Sequence, residues 1–254
     1  MTNVFSDSII MLKRCFTKNL RSPETVIMAL GVPVIMMVLF GFVFGGVAGD
    51  VDGFSYINFI VPGIIVQCIC NASGATGMGL HNDMSKGIFD RFRSMQIAKS
   101  AFLNGHAWMS ILRNMVITIV IIGAGFAVGF RPAASFTDWL LAAGVLFLFL
   151  IAITWITVIF GLIVKDSEAI SGLAFLLTIL TFVSSGFAPP ETLPTALRIF
   201  AQHQPMTHVI DATRALLLGL PLGNSLWLAL AWSGGIAIVA FTIAVQIYKS
   251  KLTK

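Results

Sequence analysis

The chain has 254 residues, of which 57% are hydrophobic and only 11% are charged. Soluble globular domains usually carry about 25% charged residues, so this composition excludes an ordinary soluble domain and predicts a membrane protein. The formal net charge of +5 is spread among apolar runs and forms no single basic stripe. This distribution favours contact with the lipid bilayer and disfavours binding to nucleic acid.

The first predicted element is an amphipathic helix over residues 5–21. At 100° per residue its apolar side chains share one narrow arc, and they are Phe5, Ile9, Leu12, Phe16 and Leu20. Charged side chains lie on the opposite side, namely Asp7, Arg14, Lys18 and Arg21. A helix of this kind is expected to lie along the inner leaflet of the membrane.

Six apolar segments follow that are long enough to cross the bilayer. A helix needs about 20 apolar residues to span about 30 Å of hydrocarbon. The segments that meet this requirement are residues 26–47, 54–80, 108–130, 139–164, 169–187 and 226–248. The sequence therefore predicts an all-α polytopic membrane protein with six transmembrane helices. None of these segments contains Asp or Glu, which disfavours a carrier that holds Na⁺ or H⁺ with acidic side chains.

Lys and Arg residues predict the orientation of the spans, because cytoplasmic loops are enriched in both. Most of the 16 Lys and Arg residues precede the first span, separate the second span from the third, or follow the last span. The opposite side has only Arg131, Arg198 and Arg214. Both termini are therefore predicted to be cytoplasmic.

Arg113 is the charge that lies clearly within a predicted span, and two interpretations of it stay open. In the first, its long side chain snorkels to the cytoplasmic interface. In the second, it pairs with a carboxylate near that interface, which would be Asp83, Asp90 or Glu168. Arg113 is in either case an intramembrane charge.

Residues 84–96, between the second and third spans, interleave aromatic and charged side chains. Ile88, Phe92 and Met95 are spaced i, i+4, i+7, with Phe89 adjacent, and this apolar face suits a groove on a partner protein. The surrounding charges suit its polar rim. The alternative is an ordinary positively charged loop. That loop requires charges but no interleaved phenylalanines, so a cytoplasmic docking segment is favoured.

The connection over residues 187–224 is too interrupted by proline to cross the bilayer, yet residues 207–218 have helical character with Ile210, Leu216 and Leu217 on one side. The sequence predicts a re-entrant segment between the fifth and sixth spans, with short helices in the outer half of the membrane. Such segments require protein or a water-filled cavity around them.

Motifs for catalysis or metal binding are missing from the sequence. There is no G-x-x-x-x-G-K-[ST] motif, so this chain is not expected to bind or hydrolyse a nucleotide. Ser73 lacks the preceding glycine pattern and the histidine on a later span that rhomboid-type intramembrane proteases use. The histidines and cysteines show no metal-ligand spacing. We therefore predict no catalytic residue, no metal and no cofactor in this chain.

Two motifs resemble the membrane subunits of type-2 ABC exporters, the ABC-2 permeases, in their daunorubicin-resistance-like branch. "KGIFDRFRSMQIAKS", residues 86–100, resembles the signature between the second and third spans, although Gln96 stands where the branch more often has Pro. "HQPMTHVIDATRALLLG", residues 203–219, resembles the second signature. The resemblance covers essentially the whole chain and implies one transmembrane domain over residues 1–254.

The resemblance implies particular partners and sites. Two copies of a separate ABC ATPase would bind ATP and Mg²⁺, and a second permease subunit would complete a homo- or heterodimer in the plasma or inner membrane. The implied ATPase-coupling residues are Gly87, Ile88, Phe89, Asp90, Arg91, Phe92, Arg93 and Met95. The implied outer-gate residues are His203, Gln204, Pro205 and Arg214.

The implied function is multidrug efflux by alternating access, which moves a hydrophobic or amphipathic compound outward and confers antibiotic resistance. Two other functions remain as alternatives. One is export of a lipid-linked glycan or polysaccharide, because apolar spans look similar for that cargo. The other is a non-transporting membrane scaffold or immunity protein, which needs no ATPase.

Overall fold

The computed structural model describes residues 4–20, 23–44, 53–88, 100–164 and 166–253. This part of the chain is helical and contains no extended β-strand. Its α-helices, in chain order, are α1 (Val4–Leu20), α2 (Pro23–Val38), α3 (Tyr56–Ser85), α4 (Ala101–Val128), α5 (Phe136–Ile163), α6 (Ser167–Phe182), α7 (Thr195–His203), α8 (Pro205–Leu218) and α9 (Ser225–Thr253). A π-helix, Leu39–Phe44, continues α2.

Four of these helices, α3, α4, α5 and α9, are long and apolar enough to cross a membrane. Shorter apolar helices occur at Leu30–Val43 and Ser167–Phe182, within or near the first and fifth predicted spans. The prediction of an all-α protein with several membrane-length helices is confirmed. The number of six spans and the orientation of the termini stay predictions.

Helix α3 lies at the centre of the fold. It packs against α2, α4, α5, α6 and α8, and 89% of its most apolar stretch is buried. Its side chains Ile60, Ile64 and Ile65 are fully buried. Most of α3 is apolar and other helices surround it, as is typical of a helix enclosed in the core of a helical bundle.

Small residues let α3 approach its neighbours closely. A Cβ atom added to Gly77 would lie 2.6 Å from the carbonyl oxygen of Thr157 in α5, and one added to Gly161 would lie 2.6 Å from the carbonyl oxygen of Gly77. Near the other end of α3, a Cβ on Gly63 would lie 2.5 Å from the carbonyl oxygen of Gly186. Glycine at these positions permits backbone contact between elements, as in other helix pairs within membranes.

We predict that Gly77→Ala lowers the free energy of unfolding by about 1–3 kcal/mol, because the new methyl group overlaps backbone atoms that cannot rotate away. Gly172→Ala in α6 is the matched control, since a Cβ there meets nothing within 4 Å, and helix propensity should make it neutral or slightly stabilising. Denaturant titration in mixed micelles measures both variants. Equal stability of the two would contradict the close contact.

Helix α1 packs against α4 through a face different from the apolar arc. Met11 and Cys15 are 2% and 6% exposed, whereas Ile9 and Phe16 are 48% and 46% exposed. A Cβ on Gly105 of α4 would lie 2.6 Å from the Cβ of Met11, so this glycine allows α1 to dock closely. Ile9 and Phe16 of the predicted apolar arc are therefore directed largely away from the other helices.

Candidate functional site

The predicted coupling segment begins where α3 ends. Gly87 adopts a left-handed conformation with φ of 68°, and its N–H donates to the carbonyl oxygen of Met84 at 3.1 Å. This geometry favours glycine and ends the helix. Ile88 is half-buried. The other residues of the coupling prediction lie outside the described residues, and they are Phe89, Asp90, Arg91, Phe92, Arg93 and Met95.

A buried carboxylate joins α1 to the two helices that flank this segment in the sequence. Asp83, near the end of α3, is fully buried, and its Oδ2 accepts a hydrogen bond of 2.8 Å from Nη1 of Arg14 in α1. The same oxygen lies 3.2 Å from Nε2 of His106 in α4. These three residues form what we call the Asp83 cluster. The cluster ties together the helix that precedes the coupling segment, the helix that follows it, and α1.

A second polar group lies at the opposite end of α3. Arg214 of α8 is 8% exposed, and its Nε donates to the carbonyl oxygen of Phe59 at 3.1 Å. Its guanidinium carbon lies 3.9 Å from the centroid of the Phe59 ring, a cation–π distance. Nη1 donates to Asp211 at 2.8 Å and Nη2 donates to the carbonyl oxygen of Ser185. We call Phe59, Ser185, Asp211 and Arg214 the Arg214 cluster.

The remaining outer-gate residues lie at the junction of α7 and α8. Gln204 separates the two helices, and its Nε2 donates to the carbonyl oxygens of Leu180 at 3.0 Å and Val183 at 2.7 Å. Pro205 is the first residue of α8. His203 is exposed, and its Nδ1 lies 2.8 Å from the carbonyl oxygen of Ile199 within α7. Gln204 and Arg214 thus both bind the chain near the end of α6, whereas His203 makes a local contact.

His208 also lies on α8, and the surroundings change its protonation. Burial lowers the pKa of His208, the charge of Asp211 opposes this shift, and His203 adds to it. His208 is therefore largely neutral at neutral pH. The positive charge on this helix belongs to Arg214.

Arg113 is buried and bound to α3. Its Nη2 donates to the carbonyl oxygen of Ala72 at 2.6 Å and to Oγ1 of Thr76 at 2.8 Å. Among the described residues it forms no ion pair with Asp83 or Glu168, whereas Asp90, the third carboxylate considered from the sequence, lies outside those residues. The small side chains on this face of α3 leave room for the guanidinium group beside the helix backbone.

Other polar side chains continue this contact between helices. Asn114 of α4 donates to Oγ of Ser73 at 3.4 Å, and Ser110 lies 3.1 Å from Oγ1 of Thr154 in α5. Hydrogen bonds of this kind join helices within membranes. Ser73 therefore takes part in the contact between α3 and α4. These polar contacts between α3, α4 and α5 were not predicted from the sequence, although Asn114 is recognisable as a polar residue within an apolar span.

A groove between α2, α3 and α6 has several polar side chains in a mostly apolar lining. Its volume is about 500 Å³, and its lining includes Met36, Gln67, Asn71, Met78, Phe175 and Thr178. No cluster of three or more His, Cys, Asp or Glu side chains that could hold a metal ion occurs in the described ranges.

Comparison with known proteins agrees with the two sequence motifs. The model of the family described as "ABC-2 type transporter" matches residues 7–218, a range that includes the coupling segment and most of the second motif. The resemblance inferred from those motifs is thereby confirmed.

Individual relatives cover most of the chain. A daunorubicin resistance ABC transporter permease protein of Streptomyces coeruleorubidus is 30% identical over 220 residues, which cover 86% of this chain and 77% of the relative. A probable doxorubicin resistance ABC transporter permease protein of Mycobacterium tuberculosis is 26% identical over 234 residues, with coverages of 92% and 85%. An inner membrane transport permease of Escherichia coli K12 is 25% identical over 195 residues, with coverages of 74% and 75%. Since the family match extends over most of its length, this chain belongs to the ABC-2 type transporter family and is a permease of that family.

Proposed function

We propose that this chain is the membrane-spanning subunit of an ATP-driven exporter that moves a hydrophobic or amphipathic, drug-like compound out of the cell. A separate ATPase, present in two copies, binds ATP and Mg²⁺, and this chain has no catalytic role of its own. The family supports the first part of this proposal. The drug-resistance names of two relatives support the cargo class.

The proposed arrangement has six spans in the plasma or inner membrane, both termini in the cytoplasm, and a second permease subunit as partner. Residues 1–254 form one transmembrane domain, and residues 187–224 form its outer re-entrant connection. The enrichment of Lys and Arg near the proposed cytoplasmic ends supports this orientation.

The Asp83 cluster is the observation that carries the coupling mechanism. It joins α1 to α3 and α4, the two helices that flank residues 86–100 in the sequence, so a force on that segment would act on all three helices together. If the helices that flank the segment were loosely packed, a displacement of the segment would not move the other helices. Because the Asp83 cluster fixes these helices to each other and to α1, a displacement of the segment would move all three.

Helix α3 carries the motion across the membrane. It contains 30 residues and is therefore about 45 Å long. The Asp83 cluster lies at one end of it, and the carbonyl oxygen of Phe59, which binds Arg214, lies near the other. Closure of the ATPase subunits would rock α3, and the Arg214 cluster would pass that motion to α8 and the outer connection. Alternating access at the interface between two permease subunits follows from this movement.

Transport of daunorubicin in proteoliposomes tests this proposal. The chain is purified together with its ATPase and reconstituted, and we expect drug movement that depends on ATP and disappears when the ATPase is omitted. An ATPase whose phosphate-binding lysine is replaced provides the matched control. Uphill transport by the isolated chain, or purification of the chain with no ATPase bound, would contradict the proposal.

A further inference from the structure

The groove between α2, α3 and α6 combines an apolar wall with a small polar patch. Met36, Ala75, Met78 and Phe175 contribute apolar surface, and the polar patch contains Gln67, Asn71, Ser171 and Thr178. A cavity of this composition resembles small-molecule sites, which are mostly apolar and have a few polar groups that fix orientation.

Most polar groups of the patch are already paired. Thr178 donates to Oδ1 of Asn71 at 2.7 Å and to the carbonyl oxygen of Ala174 at 2.9 Å. Ser171 donates to the carbonyl oxygen of Ser167 at 3.4 Å. Gln67 differs from them, because it is 3% exposed and its Oε1 has no hydrogen-bond partner within the ranges that the structure describes.

An unpaired amide oxygen near the middle of an apolar helix is costly, since burial of a polar group without a hydrogen bond disfavours the folded state. Gln67 lies near the centre of α3, where water is scarce once a bilayer surrounds the chain. A partner that supplies the missing hydrogen bond would bind favourably, because it removes this penalty. The side-chain amide can present either its carbonyl oxygen or its NH₂ group by rotation of its terminal bond.

We propose that Gln67 recognises the cargo, by accepting a hydrogen bond from an N–H or O–H group of an amphipathic compound whose apolar body fills the groove. This inference rests on the proposed transport function and adds a requirement for a donor group on the cargo. A larger groove between α5 and α9, of about 660 Å³, lacks this feature, because its lining includes Ile156, Leu228, Ile236 and Val239 and none of the unpartnered polar atoms.

Two dyes of equal charge test the proposal by binding alone. Rhodamine 123 carries two NH₂ groups, and tetramethylrhodamine methyl ester has the same ring system without N–H donors. Fluorescence polarisation with the full chain in lipid nanodiscs measures the affinity for each dye. In Gln67→Leu, we expect affinity for rhodamine 123 to fall about fivefold, the effect of one net hydrogen bond, and affinity for the methylated dye to change less than twofold.

Met78→Leu is the matched control, because it changes the shape of a side chain in the same groove at nearly constant volume and removes no amide or hydroxyl group. It should alter both affinities by less than twofold. An equal loss of affinity for both dyes in Gln67→Leu would overturn the proposal, since Gln67 would then contribute to binding through packing and not through a hydrogen bond. A change of the particle mass from dimer to monomer would also overturn it, because the amide would then serve a second copy.

Failure of this inference is separable from failure of the proposed function. The dye measurement requires neither ATP nor the ATPase, whereas the daunorubicin experiment requires both. Donor-independent dye binding combined with ATP-driven transport would reject the role of Gln67 and leave the exporter proposal intact.

Discussion

Replacing Phe89 and Phe92 together by alanine is expected to abolish ATP-driven transport while the chain still inserts into the membrane and folds. The two rings belong to the docking face predicted from the sequence, and buried aromatic anchors at interfaces typically contribute 2 kcal/mol or more each. Loss of two such anchors, about 4 kcal/mol together, should weaken binding of the ATPase by on the order of 1,000-fold. Transport should fall by a similar factor at limiting ATPase concentration.

Co-purification of the ATPase and transport in proteoliposomes measure this effect. Phe136→Ala combined with Trp227→Ala is the matched control, because these aromatic side chains are 85% and 72% exposed and lie far along the sequence from the coupling segment. The control variant should retain the ATPase and transport. Retention of both by the Phe89/Phe92 variant would show that the segment is an ordinary charged loop.

The positions of the long helices could be predicted because hydrophobicity is a local property of the sequence. Their ends could not be predicted as well. Helix α3 continues to Ser85 beyond the predicted limit of residue 80, and α4 begins at Ala101 before residue 108. Both extensions contain polar residues whose partners come from distant parts of the chain, such as Asp83 with Arg14. A prediction based on apolar length ends a helix at its first polar residues, although tertiary contacts of those residues allow the helix to continue.

Helix α1 shows a second limit of sequence periodicity. The pattern predicted a helix with one apolar arc, and the structure contains a helix at Val4–Leu20. Among residues 8–17, whose side chains the structure describes, the buried ones are nevertheless Met11 and Cys15, which lie outside that arc. A helix that contacts both protein and lipid needs an apolar surface toward each. The period alone does not determine which surface meets the protein.

Some residues of the candidate sites could be identified from the sequence, whereas their contacts could not. The second motif marked Gln204 and Arg214, and the structure brings both to the turn after α6. The hydrogen bonds of Arg113 could not be predicted, because every residue has a backbone carbonyl oxygen and the sequence does not show which one a distant side chain will contact. Gln67 was recognisable as a polar residue in an apolar span, but its lack of a partner emerges only from packing.

Replacing Asp83 by leucine should detach α1 from the bundle and uncouple the transporter. The substitution removes a fully buried carboxylate and leaves Arg14 and the buried His106 without it. Breaking a buried ion pair from one side typically costs about 3–5 kcal/mol. Arg14 retains 31% side-chain exposure and can partly return to water, so we expect a loss of about 2–4 kcal/mol in the free energy of unfolding.

Hydrogen exchange of peptides from α1 and ATP-driven transport are the two measurements. Exchange in α1 should increase at least tenfold and transport should fall, whereas exchange in α5 should stay unchanged. Asp166→Leu is the matched control, because Asp166 is exposed and makes no side-chain cap bond at the start of α6. The control should leave exchange and transport as in the original chain.

A second substitution separates the ion pair from a general packing defect. Arg14→Met combined with Asp83→Leu replaces both charges by apolar side chains, which is often neutral for a buried pair. The double variant should therefore be more stable than Asp83→Leu alone, with a coupling energy of about 1–3 kcal/mol. If stability is restored but transport is not, the charges themselves are required for coupling. If the double variant is less stable than the single one, the ion pair does not hold α1 in place, and the connection of α1 to α3 and α4 must be assigned to other contacts.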